Sequence, residues 1–222
     1  MKLAIFDLDN TLLNGDSDHA WGQFLCDKGL VDRQEYQQAN DHFFELYQQG
    51  TLNITEFLEF ALRPLKTLPR QQLNDLHQEF MRDIIEPMML PAADALLQKH
   101  REAGDFLLII TATNAFITRP ISERLNVDAI LATEPEEVEG QYTGRVSGTP
   151  CFQEGKVSRL QQWLEESGHQ LTGSYFYSDS INDLPLLEQV DHPVAVNPDA
   201  KLLSIANKQG WPVLDLRNDQ SD

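Results

Sequence analysis

Leu3-Ala4-Ile5-Phe6 is an unbroken apolar run, and such a run reads as a short strand buried on both faces. The pattern then changes. From about Asn14 to Glu86 apolar residues recur three and four apart: Trp21, Phe24 and Leu25, then Phe43, Phe44 and Tyr47, then Phe57, Leu58 and Leu62. That period predicts several helices and no strand. Asn53-Ile54-Thr55-Glu56 predicts a helix start, with Asn53 as cap and Glu56 at the third helical position. Pro64 should end or kink that helix. From Pro91 the chain alternates. Helices are predicted over 92–101, 115–125, 156–167, 184–189 and 199–208, and strands over 106–111, 129–132, 174–177, 193–196 and 213–214. Residues 142–146 read as a small hairpin on the rim, and the acidic run Glu134 to Glu139 as a solvated loop. Strand alternating with helix predicts an α/β fold, a Rossmann-like three-layer parallel sheet with an inserted all-helical module. The expected divisions are 1–13 with 87–216 as the core, 14–86 as the insertion, and 217–222 as a loose polar tail.

Composition narrows the partners. The 222 residues suit one large domain, or a domain with an inserted module. A formal charge of −18 argues against nucleic acid and anionic membrane surfaces. Cys26 and Cys151 lie far apart with no CxxC, so neither a disulfide framework nor a zinc site is expected. No leader pattern and no apolar run of membrane-spanning length is visible, and the expected location is cytoplasmic.

Candidate chemistry gathers at strand ends. Asp7 and Asp9 follow the first apolar run directly, where open α/β sheets place their ligands. Two buried carboxylates so close ask for a cation or a shared proton. Thr111 follows Leu107-Leu108-Ile109-Ile110, Lys156 opens the helix after Gly155, and Ser178-Asp179-Ser180-Ile181-Asn182-Asp183 follows Tyr175-Phe176-Tyr177. These residue types suit phosphoryl transfer. A carboxylate can attack phosphorus, and a second can protonate the departing alkoxide and then activate water. Hard oxygen ligands suit Mg²⁺, and a lysine and a hydroxyl offset charge on phosphoryl oxygens. Each residue has a plainer local reading too. Asp7 and Asp9 can end a solvated strand, Asp179 can cap a helix, Thr111 can end a strand, Lys156 can be solvated, and Asn182 can be a turn residue.

In order, Asp7-x-Asp9-x-Thr11, Thr111, Lys156 and Asp179-x-x-x-Asp183 resemble the four motifs of the haloacid dehalogenase superfamily of phosphatases. The insertion resembles the type 1 (C1) helical cap of its phosphoserine phosphatase-like branch. That resemblance implies Asp7 as nucleophile and Asp9 as general acid/base. It implies Mg²⁺ held by Asp7, the backbone carbonyl of Asp9 and Asp179, with Asp183 supporting the metal's water shell. Thr111, Lys156 and Asn182 are implied to hold phosphate.

The cap should choose the leaving group. Residues 14–86 carry 13 acidic and 6 basic side chains, a net −7, which suits a leaving group with a positive amine and equally a solvated face. Phosphoserine phosphatases bind the substrate amine through a glutamate whose counterpart here is Asp16, and the carboxylate through a cap arginine whose counterpart is Ala61. Arg63 lies two residues away and faces elsewhere on a helix. His19, just after the hinge, is a further candidate for the pocket wall. The segment Asn10 to Asp18, with Thr111-Ala112-Thr113-Asn114, resembles a bacterial branch that includes histidinol-phosphate phosphatases. The expected partner is therefore a small phosphorylated metabolite, histidinol phosphate first and phosphoserine second. A non-catalytic aspartyl phospho-acceptor of the receiver type and a phosphomutase are the other readings.

Overall fold

A computed structural model describes residues 1–218. Its sheet is built from β1 (Leu3–Phe6), β2 (Phe106–Asn114), β3 (Ala129–Val138), β4 (Gln141–Ser147), β5 (Tyr175–Ser178), β6 (His192–Val196) and β7 (Val213–Leu214). The strand order is β4-β3-β2-β1-β5-β6-β7, parallel everywhere except the β3–β4 pair. β1 is central and wholly buried, as a run with apolar residues on both faces requires. The chain winds outward from β1 first through β2 and then through β5, so strand order reverses at β1. Ligands of open α/β sheets bind at such a switch point, beyond the strands' carboxyl ends.

Between β1 and β2 run α1 (Ser17–Asp27), α2 (Arg33–Gln49), α3 (Ile54–Ala61), α4 (Arg63–Thr67) and α5 (Arg70–Phe80). A π-helical turn (Met81–Ile85), α6 (Glu86–Met88) and α7 (Pro91–Glu102) follow. Asp16 caps α1 by accepting from His19 N–H, and Asn53 caps α3 by accepting from Thr55 and Glu56 N–H. Pro64 stands in the first turn of α4, where its missing N–H costs nothing, and so separates α4 from α3. Chain exit and return are stitched together: Asn14 N–H donates to Met88 O (2.8 Å), beside an antiparallel bridge between Leu13 and Met89. The remaining helices are α8 (Ala115–Arg124), α9 (Glu154–Ser167), α10 (Leu184–Leu187) and α11 (Ala200–Gln209).

Two apolar clusters cover the two faces of the sheet. One joins Phe6, Leu107 and Ile109 to Trp21, Phe24, Leu65, Leu73 and Phe80 of the insertion, so α1, α4 and α5 share a core with the sheet. The other gathers Ile5, Leu108, Phe176 and Ala195 under α9, α10 and α11. A separate small cluster, Cys26, Tyr36, Phe60 and Ala61 with Phe43 and Phe57, ties α2 and α3 to α1.

Three expectations change. Glu134 to Val138 is not a loop: β3 continues through it and pairs with β4. The two strands turn at Glu139-Gly140, both with positive φ, the geometry of a tight hairpin. Arg119, Arg145 and Arg70 pair with Glu134, Glu136 and Glu137, which makes the acidic arm tolerable as an edge ribbon. β2 runs on past Thr111 to Asn114, with a register shift against β3 after Ile110. Of the expected loose tail, Arg217 donates to Asn10 Oδ1 (3.1 Å) and Asn218 to Asp215 Oδ2 (2.8 Å), while residues 219–222 lie outside the described residues.

His77 of α5 joins the insertion to α8. It is buried among Trp21, Phe80 and Phe116, and its Nε2 lies 3.0 Å from Ile117 O, which requires an Nε2–H donor. Burial lowers its proton affinity, with the Ile117 bond opposing weakly. Below about pH 6.5 the unfolded chain binds a proton here that the folded chain resists. The stability contributed is therefore present above that pH and lost on acidification. Buried carboxylates act in the opposite sense, so the test is a difference. His77→Gln keeps a donor for Ile117 and removes the titration. The wild type should lose more resistance to urea than the variant between about pH 7.5 and 5.5. Equal losses in the two proteins would exclude this role for His77.

Candidate active site

The carboxyl ends of β1, β2 and β5 and the start of α9 bring the acids and Lys156 together. Asp7 follows β1, and its N–H continues the ladder by donating to Tyr177 O (2.9 Å). Lys156, in the first turn of α9, is wholly buried, with Nζ 2.8 Å from Asp7 Oδ1 and 2.7 Å from Asp183 Oδ1. Burial alone would lower its proton affinity, and Asp183 and Asp7 reverse that, so it stays charged. Thr11 bridges the two ends of the site. Its hydroxyl donates to Asp7 Oδ2 (3.2 Å), lies 3.4 Å from Asp179 Oδ1, and accepts from Asp179 N–H (3.1 Å). Asp7 is pushed up to about 7 by burial, against the pull of Lys156, and burial with Asp7 and Asp183 nearby also raises Asp179.

Asp179 does not cap the turn that follows it. Ser180 does, accepting from Asn182 N–H through Oγ, which leaves the Asp179 carboxylate for the site. Asp183 is fixed by Lys156 and by the Ser178 hydroxyl (2.7 Å). Thr111 is buried with its Oγ1 accepting from Thr113 N–H (3.2 Å). Asn182 reaches across to the insertion: Nδ2 donates to Tyr47 O (3.0 Å), and Oδ1 accepts from Gln153 Nε2 (3.0 Å). Its amide is thus engaged by protein on both sides.

Asp9 faces the other way from Asp7. Its oxygens accept from Ser17 N–H (2.6 Å) at the start of α1 and from the Thr113 hydroxyl (2.8 Å). A helix N-terminus favours the carboxylate. Burial first, and Asp16 second, push the group up to about 7, a value suited to carrying a proton and giving it up. Asp16, the cap of α1, is raised by burial. His19 stacks on Phe44 (4.7 Å between ring centroids) and pairs through Nε2 with Asp41 (2.8 Å).

Part of this set opens on one cavity of about 540 Å³, counting its mouth. Asp7, Asp9, Thr111 and Thr113 line it from the strand ends, Asp16, Asp18 and His19 from the start of α1, and Phe43, Phe44, Tyr47 and Phe57 from α2 and α3. No Arg or Lys is among the described residues lining it. Ala61 is buried in the α1–α3 cluster, and Arg63 borders a separate groove with Glu59 and Thr67.

A divalent cation can be tested against these donors. Among the described residues no three Asp, Glu, His or Cys side chains form a ready metal cage. Asp7 and Asp179 do converge on one Thr11 hydroxyl, and no described residue donates to the Asp9 carbonyl. Two carboxylates and one main-chain carbonyl, all hard oxygens and short of positive charge, fit Mg²⁺, which keeps several waters.

Four partners escaped the sequence reading. Thr113 had a signal, since strand residues two apart share a face and Thr111 was already chosen. Asp18 and Asn114 lay in the segments that carry the branch resemblance, but nothing there said that they meet. Gln153 had no signal; it sits at φ 48° and ψ −121°, a strained backbone for a residue with a side chain. A Cβ on Gly155 would lie 2.1 Å from Pro150 O, so the turn before α9 is tight.

Residues 4–188 match the family described as haloacid dehalogenase-like hydrolase. The chain is 49% identical over 220 residues, 97% of its length and 99% of the relative's, to the histidinol-phosphatase of Neisseria meningitidis serogroup C. It is 31% identical over 217 residues, 96% of its length and 70% of the relative's, to phosphoserine phosphatase SerB1 of Mycobacterium tuberculosis. A Bordetella pertussis protein of unknown function has a similar structure, with TM-score 0.91, 46% identity and coverage of 97% of this chain and 98% of that one. A phospho-aspartyl intermediate analogue of phosphoserine phosphatase shares the fold, with TM-score 0.72, 18% identity and coverage of 98% and 94%.

Removing Lys156 strands two buried carboxylates. Lys156→Met should cost about 3–5 kcal/mol, read from urea unfolding at neutral pH. Combining it with Asp183→Asn should recover part of that loss, and a double variant no more stable than the single one would contradict the pairing.

Proposed function

The chain belongs to the haloacid dehalogenase-like hydrolases, and on that premise we propose that it is a Mg²⁺-dependent phosphatase of histidinol phosphate. In this reading an Asp7 oxygen attacks phosphorus, and the P–O bond to the alcohol breaks as an aspartyl phosphate forms. Asp9 gives its proton to the departing alkoxide, then takes one from the water that hydrolyses the intermediate. Thr111 and Lys156 offset phosphoryl charge, and Lys156 also holds Asp7 in aim. Asp7, Asp179 and the Asp9 carbonyl would hold Mg²⁺, with Asp183 behind its waters. When bound, the ion supplies the positive charge that draws a phosphate into an acidic site. Thr113 and Ser17 N–H orient Asp9. Asn182 joins the phosphate end to α2, and Lys201 adds a bond from Nζ to Gln49 O (2.6 Å) at the same helix end. Within residues 14–86, α2 and α3 serve as the lid, and these two bonds would break when α2 lifts.

One observation carries the substrate: the cavity presents acids and aromatic rings and, among the described residues lining it, no Arg or Lys. Histidinol phosphate bears an amine and an imidazole and no carboxylate. Phosphoserine bears a carboxylate, which would meet Asp16 and Asp18 without a bidentate partner. The 49% identical relative, named a histidinol-phosphatase, supports the same choice. Such a substrate and its acidic, metal-dependent site suit a cytoplasmic enzyme of small-molecule metabolism.

Phosphate release with Mg²⁺ should give a kcat/KM for histidinol phosphate at least about tenfold above that for phosphoserine, a difference of about 1.4 kcal/mol. The reverse order would sink the assignment. Asp7→Asn should lower turnover at least about a thousandfold with the thermal midpoint retained. Near-normal turnover would remove Asp7 as nucleophile.

A further inference from the structure

Asp18 takes no part in the phosphoryl chemistry, yet it is buried and lines the cavity. One oxygen accepts from Asn114 Nδ2 (3.2 Å), and no described residue donates to the other. Asn114 is itself buried, with an Oδ1 that has no partner. An acid kept only for packing should be fully hydrogen-bonded or paired with a cation. Here burial, then Asp16, then Asp9 all oppose its charge, and no basic side chain relieves it. The free oxygen belongs to a residue of the cavity wall and is reachable from the cavity, where water or a ligand completes it.

The aromatic residues of the cavity set the ligand's shape. Asn40 donates to His19 O (2.9 Å), and Gly22 lets it approach, since a Cβ there would sit 2.7 Å from Asn40 Nδ2. This bond ties α2, which carries Phe43, Phe44 and Tyr47, to α1, which carries the acids. Acids and aromatic rings lining one cavity suit a flat cation. The order along α1 matters as well. Asp16 caps α1 beside Ser17, whose N–H holds Asp9, and Asp18 stands two residues farther along the helix. In an amino alcohol phosphate with a ring, the amine stands nearer the phosphate and the ring farther out.

We propose that Asp18, oriented by Asn114, is a specificity-determining residue that binds the nitrogen heterocycle of the leaving group, leaving Asp16 for the amine. This rests on the cavity being the leaving-group pocket of a histidinol-phosphate phosphatase.

The test compares histidinol phosphate with phosphoethanolamine, which has the amine and lacks the ring, using the full chain with Mg²⁺. The wild type should prefer the ring-bearing ester. In Asp18→Asn the ratio of their kcat/KM values should fall at least about tenfold, chiefly through KM for histidinol phosphate. Asn114→Ala should lower the ratio in the same direction by a smaller factor. A wild type that prefers the ring, with a ratio unmoved in Asp18→Asn, overturns the inference and leaves the substrate reading standing. A wild type without that preference overturns both. A second measurement needs no variant. The imidazole of ¹⁵N-labelled histidinol bound to the wild-type enzyme should keep its proton to higher pH than the free alcohol does. An imidazole titrating as in free solution would also overturn the role, whether or not the variants fold.

Discussion

A single buried ammonium organises this molecule. Lys156 bonds to Asp7 from β1 and Asp183 from the loop after β5, and so ties the start of α9 to two strand ends. Remove that charge and the two carboxylates repel where water cannot help them. Yet one lysine cannot offset Asp7, Asp183, Asp179, Asp9, Asp16 and Asp18 together, and several of these carboxyls are held above their ordinary range by burial. The shortage of positive charge then decides what can enter. A phosphate needs a cation to accompany it, and the alcohol it leaves behind is best received if it carries positive charge of its own. In the proposed reading, metal requirement and leaving-group preference are two consequences of one deficit.

The parts of this arrangement that could be read from the chain are those fixed by short-range pattern. The apolar runs that became β1, β2 and β5 each end at a chemically meaningful residue, and a parallel sheet puts those ends on one edge. Partners set by three-dimensional packing were illegible. Nothing local says that Asn114 meets Asp18, or that Gln153 accepts a strained backbone and meets Asn182. The β3–β4 ribbon was misread for a different reason. Its acids looked like solvent-facing loop because the arginines that balance them come from α5, α8 and β4. Charge pairing across elements overrode composition.

Helix α1 is where chemistry and recognition are joined. Ser17 N–H holds Asp9, Asp16 caps the helix and borders the cavity, and Asp18 and His19 follow in the same turn. Trp21 and Phe24, one turn later, are buried in the core shared with the sheet. Asp9 and the cavity residues of α1 are therefore held to one element, and in the proposed reading the general acid and the leaving-group contacts cannot shift without disturbing the main apolar cluster. A helix so anchored is a poor lid but a good reference surface.

Mobility is then left to α2 and α3. Their small cluster touches α1 but does not merge with the core beneath the sheet, and their aromatic residues line the cavity with the acids. The Asn40–His19 O bond and the His19–Asp41 pair tie α2 to α1, while its C-terminal end is held to the sheet domain by two bonds, from Asn182 to Tyr47 O and from Lys201 to Gln49 O, where donors meet the negative end of the helix dipole. Two exposed or half-buried hydrogen bonds are worth little beside the apolar area that fixes α1 and α5. Opening therefore costs least along this seam. Because Asn182 also stands at the phosphate end, the same seam lets closure respond to what occupies the site. Gln153 explains how that can be reliable: its strained backbone presents Nε2 to Asn182 Oδ1 and leaves Nδ2 aimed at the helix. The strain is local, while the orientation it secures is shared by core and lid.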